Sequence, residues 1–167
     1  WLAPVQDAQR AMSLVRSKAS EWKLDPKRIG ILGFSAGGQV AGLTSIFDEK
    51  RQYEPLDEVD KVACRPDFAA LIYPGGFEVQ GQPKLRDEVQ VTKQSPPMFF
   101  VHAFDDGVTA LNTLLLATEL KKVGVPAEVH VYATGGHGYG LRHVDGQPVT
   151  VWPKRCEAWL KATGIIK

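Results

Sequence analysis

Cysteine is scarce in this sequence: Cys64 and Cys156 are the only two among 167 residues, and they fit no metal or redox spacing. A multi-bridge disulfide scaffold is therefore excluded. One bridge between the two stays open, with a pair of buried thiols as the simpler reading. Charge of one sign is lacking too. Twenty Lys and Arg against nineteen Asp and Glu leave a net +1, so no global field draws in nucleic acid or an anionic membrane. No run approaches the roughly 20 apolar residues of a membrane-crossing helix. None of the four histidines pairs with a carboxylate at zinc spacing, so no metal is expected. The glycine-rich residues 33–38 lack both a Gly-Lys-Ser/Thr ending and a Gly-x-Gly-x-x-Gly pattern, which argues against a nucleotide cofactor. The chain also opens on Trp1, without methionine, charged leader or apolar signal segment. That predicts either a processed chain or a piece of a longer one, and the motifs below favour the piece.

What is present reads as one α/β domain over residues 1–167 with a single core. Val5, Ala8, Met12, Val15, Ala19 and Trp22 recur every three or four residues, predicting an amphipathic helix over 5–22 that ends before Pro26. Residues 28–34 form a short branched run that reads as a buried strand, and 35–47 suit a helix whose small residues lie close to a sheet. A polar excursion fills 48–66. Strands are predicted at 67–73, 98–103 and 127–132, with helices at 110–123 and 151–162. In the helix at 110–123 the apolar positions are Leu111, Leu114, Leu115 and Leu120, with Thr118 among them. Strands alternating with helices predict a mostly parallel sheet of about four strands flanked by helices.

The chemistry centres on Gly33-Phe34-Ser35-Ala36-Gly37. A serine hydroxyl needs a base and an exposed position to act as a nucleophile, and a Gly-x-Ser-x-Gly turn between strand and helix supplies the exposure. The bland alternative is a tight connection carrying an idle serine. Partners are expected in the order Ser, Asp/Glu, His. His137, set among Gly135, Gly136, Gly138 and Gly140, follows the last strand and is the candidate base; alone, it would read as a solvated turn residue. Asp105 and Asp106 both follow the strand at 98–103. Asp105 is preferred as the acid, from Asp105-x-x-Val108, with Asp106 as a helix N-cap, although the two roles can be exchanged. The Ala36 N–H is one oxyanion donor, while no His-Gly-Gly-Gly-like segment for a second exists in the chain. Phe34, Tyr139 and Leu141 flank the site, with Phe34 and Tyr139 the candidates for binding substrate, though as side chains next to a turn all three fit the core equally well. His102, His130 and His143 are read respectively as a packed strand-end residue, an outward strand residue and a loop residue.

These stretches carry a resemblance. The segment from Asp25-Pro26 through Ile31-Leu32-Gly33-Phe34-Ser35-Ala36-Gly37-Gly38, with Cys64-Arg65-Pro66-Asp67-Phe68, Leu71-Ile72-Tyr73-Pro74, Val101-His102-Ala103-Phe104-Asp105-Asp106 and Gly135-Gly136-His137-Gly138-Tyr139-Gly140-Leu141, resembles the esterase branch of the α/β-hydrolases. It is similar to bacterial acetyl-xylan esterase and feruloyl-esterase-like proteins. The resemblance implies hydrolysis of a small-molecule or polysaccharide ester, including acetyl groups on xylan, by Ser35, His137 and Asp105, and is compatible with a secreted or periplasmic protein. The family's first strands are absent, so the strand at 28–34 is expected to become an open edge through which copies could associate. A prolyl-oligopeptidase-like peptidase and a catalytically incompetent fragment are the alternative readings.

Overall fold

Side chains alternate across a strand, so a sheet whose strands are apolar on both faces needs a layer of helices on each side. That is what the chain builds. The computed structural model describes residues 1–47 and 50–167. The helices are α1 (Leu2–Ser17), α2 (Ala36–Ile46), α3 (Leu111–Val123) and α4 (Trp152–Ala162), and the strands are β1 (Ile31–Phe34), β2 (Ala69–Ile72), β3 (Met98–Ala103) and β4 (Ala127–Tyr132). The strands form one parallel sheet in the order β1-β2-β3-β4. The fold class expected from the sequence is thus observed.

Successive residues of β2 and β3 feed two cores. Ala69, Leu71, Met98 and Phe100 pack with Ala41, Leu43 and Ile46 of α2 and Leu116 and Leu120 of α3, and α1 adds Val5 to the same face. Ala70, Ile72, Phe99 and Val101 face the other way, onto Trp152, Cys156 and Trp159 of α4. Small residues let α2 lie close to its neighbours: a Cβ on Gly42 would sit 2.4 Å from the ring of Phe77, in the loop after β2, and 3.3 Å from Leu71 of β2. Cys64 and Cys156 are both buried and form no disulfide with each other. Burial pushes the Cys156 thiol up to about 11.

Two helices differ from their sequence reading. α1 stops at Ser17 rather than near Trp22, and the following turns put Lys23 at φ 56° and leave Trp22 exposed. Its inner face is partly polar: the Gln9 amide donates to Lys50 O (3.1 Å) and accepts from Gln52 N–H (2.8 Å), while the Ser13 hydroxyl donates to Val62 O (2.9 Å). α3 is rotated from the expected stripe. Asn112, Thr113, Leu116 and Leu120 are buried, while Leu114 is exposed, because Asn112 Oδ1 accepts the N–H groups of Phe77 and Glu78.

Of the polar excursion at 48–66, residues 48 and 49 lie outside the described residues. The rest folds against α1 around Asp60, whose side chain is fully buried between Arg10 and Arg51, each 3.0 Å away. Burial pushes the Asp60 carboxyl up. Hydrogen bonds from Tyr53, the Leu56 N–H and Arg10, with the charge of Arg51, outweigh it and hold the group at about 2.

β1 lies at one edge of the sheet. The bonds Asp67 N to Ile29 O, Ile31 N to Phe68 O and Ser35 N to Ile72 O show that its odd-numbered residues face β2. By alternation, the backbone groups of Leu32 and Phe34 point to the open side. The Leu32 side chain is 49% exposed.

Candidate active site

A parallel sheet delivers the loops after its strands to one end, so residues remote in sequence can meet there. Ser35 follows β1, Asp105 and Asp106 follow β3, and His137 follows β4. The elbow at Ser35 is tight: its backbone has φ 52° and ψ −119°, a conformation rare for a residue with a Cβ. Gly33 is required for the turn, since a Cβ there would lie 2.0 Å from Gly37 O. Gly37 is not, since a Cβ on it would meet nothing within 4 Å.

The Ser35 Oγ lies 2.8 Å from His137 Nε2. On its other side, His137 Nδ1 lies 2.8 Å from Asp106 Oδ2 and 3.0 Å from Oδ1. The pattern sets the tautomer: Nδ1–H donates to the carboxylate, leaving Nε2 to accept from the serine hydroxyl. The Asp106 side chain is fully buried, and its Oδ1 also accepts the Val108 N–H at 2.7 Å.

The expected partnership of Asp105 with the imidazole is corrected here. Asp106 faces His137, whereas the exposed Asp105 turns its Oδ1 to the Gly136 N–H at 2.8 Å and so holds the backbone of the histidine loop. Neighbouring residues at a strand end point in opposite directions, and the bond from Phe104 N to Tyr132 O continues the β3 ladder up to this point. Asp106 caps no helix either: α3 begins at Leu111 with Ala110 as its N-cap, and Asp106 makes a local turn to Val108 instead.

Aromatic packing positions the histidine loop. The Tyr73 ring stands edge-on to His137 at 4.9 Å and to Tyr139 at 4.5 Å, and its hydroxyl accepts the Gly140 N–H at 3.2 Å. Burial raises the Tyr73 hydroxyl above its ordinary range. Tyr73 itself has φ 40° at the end of β2, and sequence reasoning passed over it. His137 sits between Gly136 at φ 59° and Gly138 at φ 77°, which lets the loop reverse around the ring. Tyr139, expected at the substrate surface, is only 5% exposed and belongs to the core beneath the loop. Phe34 is half-buried against Tyr73 and Trp152. The most exposed apolar residues on these loops are Phe104 and Leu141, 74% and 72% exposed.

Next to Ser35, α2 begins at Ala36, and the first α-helical bond runs from Gln39 N to Ser35 O. The N–H groups of the first turn, Ala36 included, therefore have no acceptor within the helix, and the positive end of the helix lies at the serine. Among the described residues, no group of three or more His, Cys, Asp or Glu side chains is arranged to hold a metal ion. No helix among them is long and apolar enough to cross a membrane.

The fold recurs in known proteins. The crystal structure of an acetyl ester-xyloside bifunctional hydrolase from Caldicellulosiruptor lactoaceticus is 38% identical, with a TM-score of 0.85 over 99% of this chain and 67% of that one. The chain belongs to the esterase branch of the α/β-hydrolases. Within that family, the BD-FAE domain model matches residues 1–68 of the α/β-hydrolase chain. Endo-1,4-beta-xylanase B of Butyrivibrio fibrisolvens is 30% identical over 81% of the chain, and an acetylxylan esterase of Xylanibacter ruminicola is 27% identical over 83%. The α/β-hydrolase chain spans 24% and 31% of the length of these two curated relatives.

Proposed function

We propose that this chain carries the catalytic part of a serine carboxylesterase that removes acetyl or related acyl groups from xylan or another acylated carbohydrate. The observation that carries the reading is the continuous line Ser35 Oγ, His137 Nε2, His137 Nδ1, Asp106, with both links at 2.8 Å. In the proposed reaction the Ser35 Oγ attacks the ester carbonyl while its proton passes to His137 Nε2. Asp106 keeps the imidazole in the accepting tautomer and stabilises its charged form. The Ala36 N–H takes the oxyanion of the tetrahedral intermediate. Collapse of that intermediate breaks the ester C–O bond, and His137 gives its proton to the departing sugar hydroxyl. Water then attacks the acyl-serine by the same route and releases the acid. The carbohydrate-ester substrate class is supported by the relatives' names, two of which refer to acetyl esters and xylan-derived sugars.

The test is covalent labelling by a fluorophosphonate, followed by mass mapping, together with turnover of p-nitrophenyl acetate, acetylated xylan and a proline-containing amide. Adduct on Ser35 and turnover of the esters but not the amide is the expected result. A folded sample whose intact mass does not change refutes the hydrolase reading, and preferential amide cleavage refutes the ester assignment. A second reading, an incompetent fragment, starts from the sequence: these residues contain no His-Gly-Gly-Gly-like segment to add a second oxyanion donor to the Ala36 N–H, and one lost donor typically costs about 100- to 1000-fold in rate. It predicts labelling of Ser35 without appreciable turnover.

A further inference from the structure

His102 is fully buried in β3, and the ester-hydrolysis chemistry above gives it no part. Its two ring nitrogens are both engaged. Nδ1 lies 2.9 Å from Thr113 Oγ1 of α3, and Nε2 lies 2.7 Å from Val108 O. A carbonyl can only accept, so Nε2 carries the proton and donates it to Val108, while Nδ1 accepts the Thr113 hydroxyl hydrogen. Burial lowers the basicity of this imidazole and so favours its neutral form, the tautomer in which Nε2 carries the proton.

The residue that His102 holds by its carbonyl is the one that holds Asp106 by its N–H: Val108 N donates to Asp106 Oδ1 at 2.7 Å. His102 Nε2 is also 3.5 Å from Asp106 Oδ2, the oxygen nearer to His137 Nδ1. The turn 106–108 is thus clamped from beneath by a side chain of the preceding strand, which is itself clamped by the following helix. We propose that His102 is a positioning residue for Asp106: through Val108 it fixes the carboxylate against His137, with Thr113 holding the other ring nitrogen. An ordinary buried histidine with satisfied hydrogen bonds would stabilise the fold without affecting the carboxylate. What separates the two is that both Val108 contacts and the 3.5 Å approach converge on the one carboxylate that His137 uses.

This inference rests on the hydrolase reading, and the experiment separates their failures. Three variants serve. H102L removes both ring nitrogens, H102Q restores a donor at the position of Nε2, and T113V removes only the hydroxyl that holds Nδ1. Misplacing a reacting group by about 1 Å costs on the order of 100-fold. The expected result is a fall in kcat on p-nitrophenyl acetate of about that size in H102L with KM unchanged, about 10-fold in T113V, and recovery of most of the loss in H102Q. An independent readout needs no turnover: the downfield proton resonance of the His137 Nδ1–H shifts or vanishes in H102L and returns in H102Q. If H102L does not fold, T113V and H102Q decide. Wild-type rates and an unmoved resonance in the folded variants overturn the proposal, as does a loss of activity that only follows a loss of folded protein. A wild-type chain that takes no fluorophosphonate yet shows the resonance and its sensitivity to residue 102 overturns the hydrolase reading and supports the positioning.

Discussion

Replacing Asp106 and Asp105 separately reads out which carboxylate serves the imidazole. Asp106 takes His137 Nδ1–H on a fully buried side chain, at 2.8 and 3.0 Å. D106N keeps the shape but offers an N–H₂ group toward Nδ1, which drives the ring proton to Nε2. The imidazole then faces Ser35 as a donor and cannot accept its proton. The same exchange in a Ser-His-Asp protease lowers kcat by about 10⁴, or about 5.5 kcal/mol at about 1.4 kcal/mol per decade. Asp105 accepts one backbone N–H, that of Gly136, at 2.8 Å on an exposed loop. D105A is expected to loosen the histidine loop and cost about 10-fold, while D105N keeps an acceptor and stays within about threefold. The assay is the rate of p-nitrophenyl acetate hydrolysis with the fluorophosphonate labelling rate measured in parallel. A D106N protein retaining more than a tenth of wild-type rate, or a larger loss in D105A than in D106N, refutes the assignment.

G33A is expected to abolish Ser35 labelling, because its Cβ would fall 2.0 Å from Gly37 O, whereas G37A meets nothing within 4 Å and should fold and label as wild type; circular dichroism and probe labelling check both. Cys156 is buried with its thiol pushed up to about 11, so iodoacetamide at pH 8 should leave it unmodified until denaturant is added, as peptide mapping would show. The buried His102 holds its proton less readily than the ordinary 6.5 of the unfolded chain. The unfolded state therefore binds more protons just below 6.5: the His102 contribution to stability is complete above that pH and declines as pH falls, by at most about 1.4 kcal/mol per unit. Urea midpoints between pH 5 and 7 should show this slope in wild type and not in H102Q.

The strands were legible because branched and aromatic runs at 98–103 and 127–132 are long enough, and bounded sharply enough, to mean one thing. The Ser35 elbow and the His137 loop stood out in the sequence for a related reason: Gly33, Gly136 and Gly138 occupy places where a side chain would clash or strain the backbone, although Gly37 does not. Where reading failed, hydrogen bonding competed with hydrophobic pattern. Leucines 111, 114 and 115 suggested the inner face of α3, but Asn112 and Thr113 occupy it because the loop at Phe77 and the ring of His102 need their polar atoms. Gln9 and Ser13 do the same on α1. The choice between Asp105 and Asp106 turned on the phase of alternation at the end of β3. The signal available was the Asp106-Gly107-Val108 spacing, which suits a carboxylate closing on the N–H two residues ahead.

The sheet order has a consequence for how the protein comes into being. Ser35 and His137 are 102 positions apart, and Asp106 joins His137 from 31 positions away. Their meeting depends on β3 and β4 pairing in register beyond β1 and β2, the slow, non-local kind of contact. During synthesis the serine emerges first and its base last. On the proposed mechanism, an incompletely folded chain carries an inert hydroxyl rather than an activated nucleophile, and a probe that modifies Ser35 would count finished molecules.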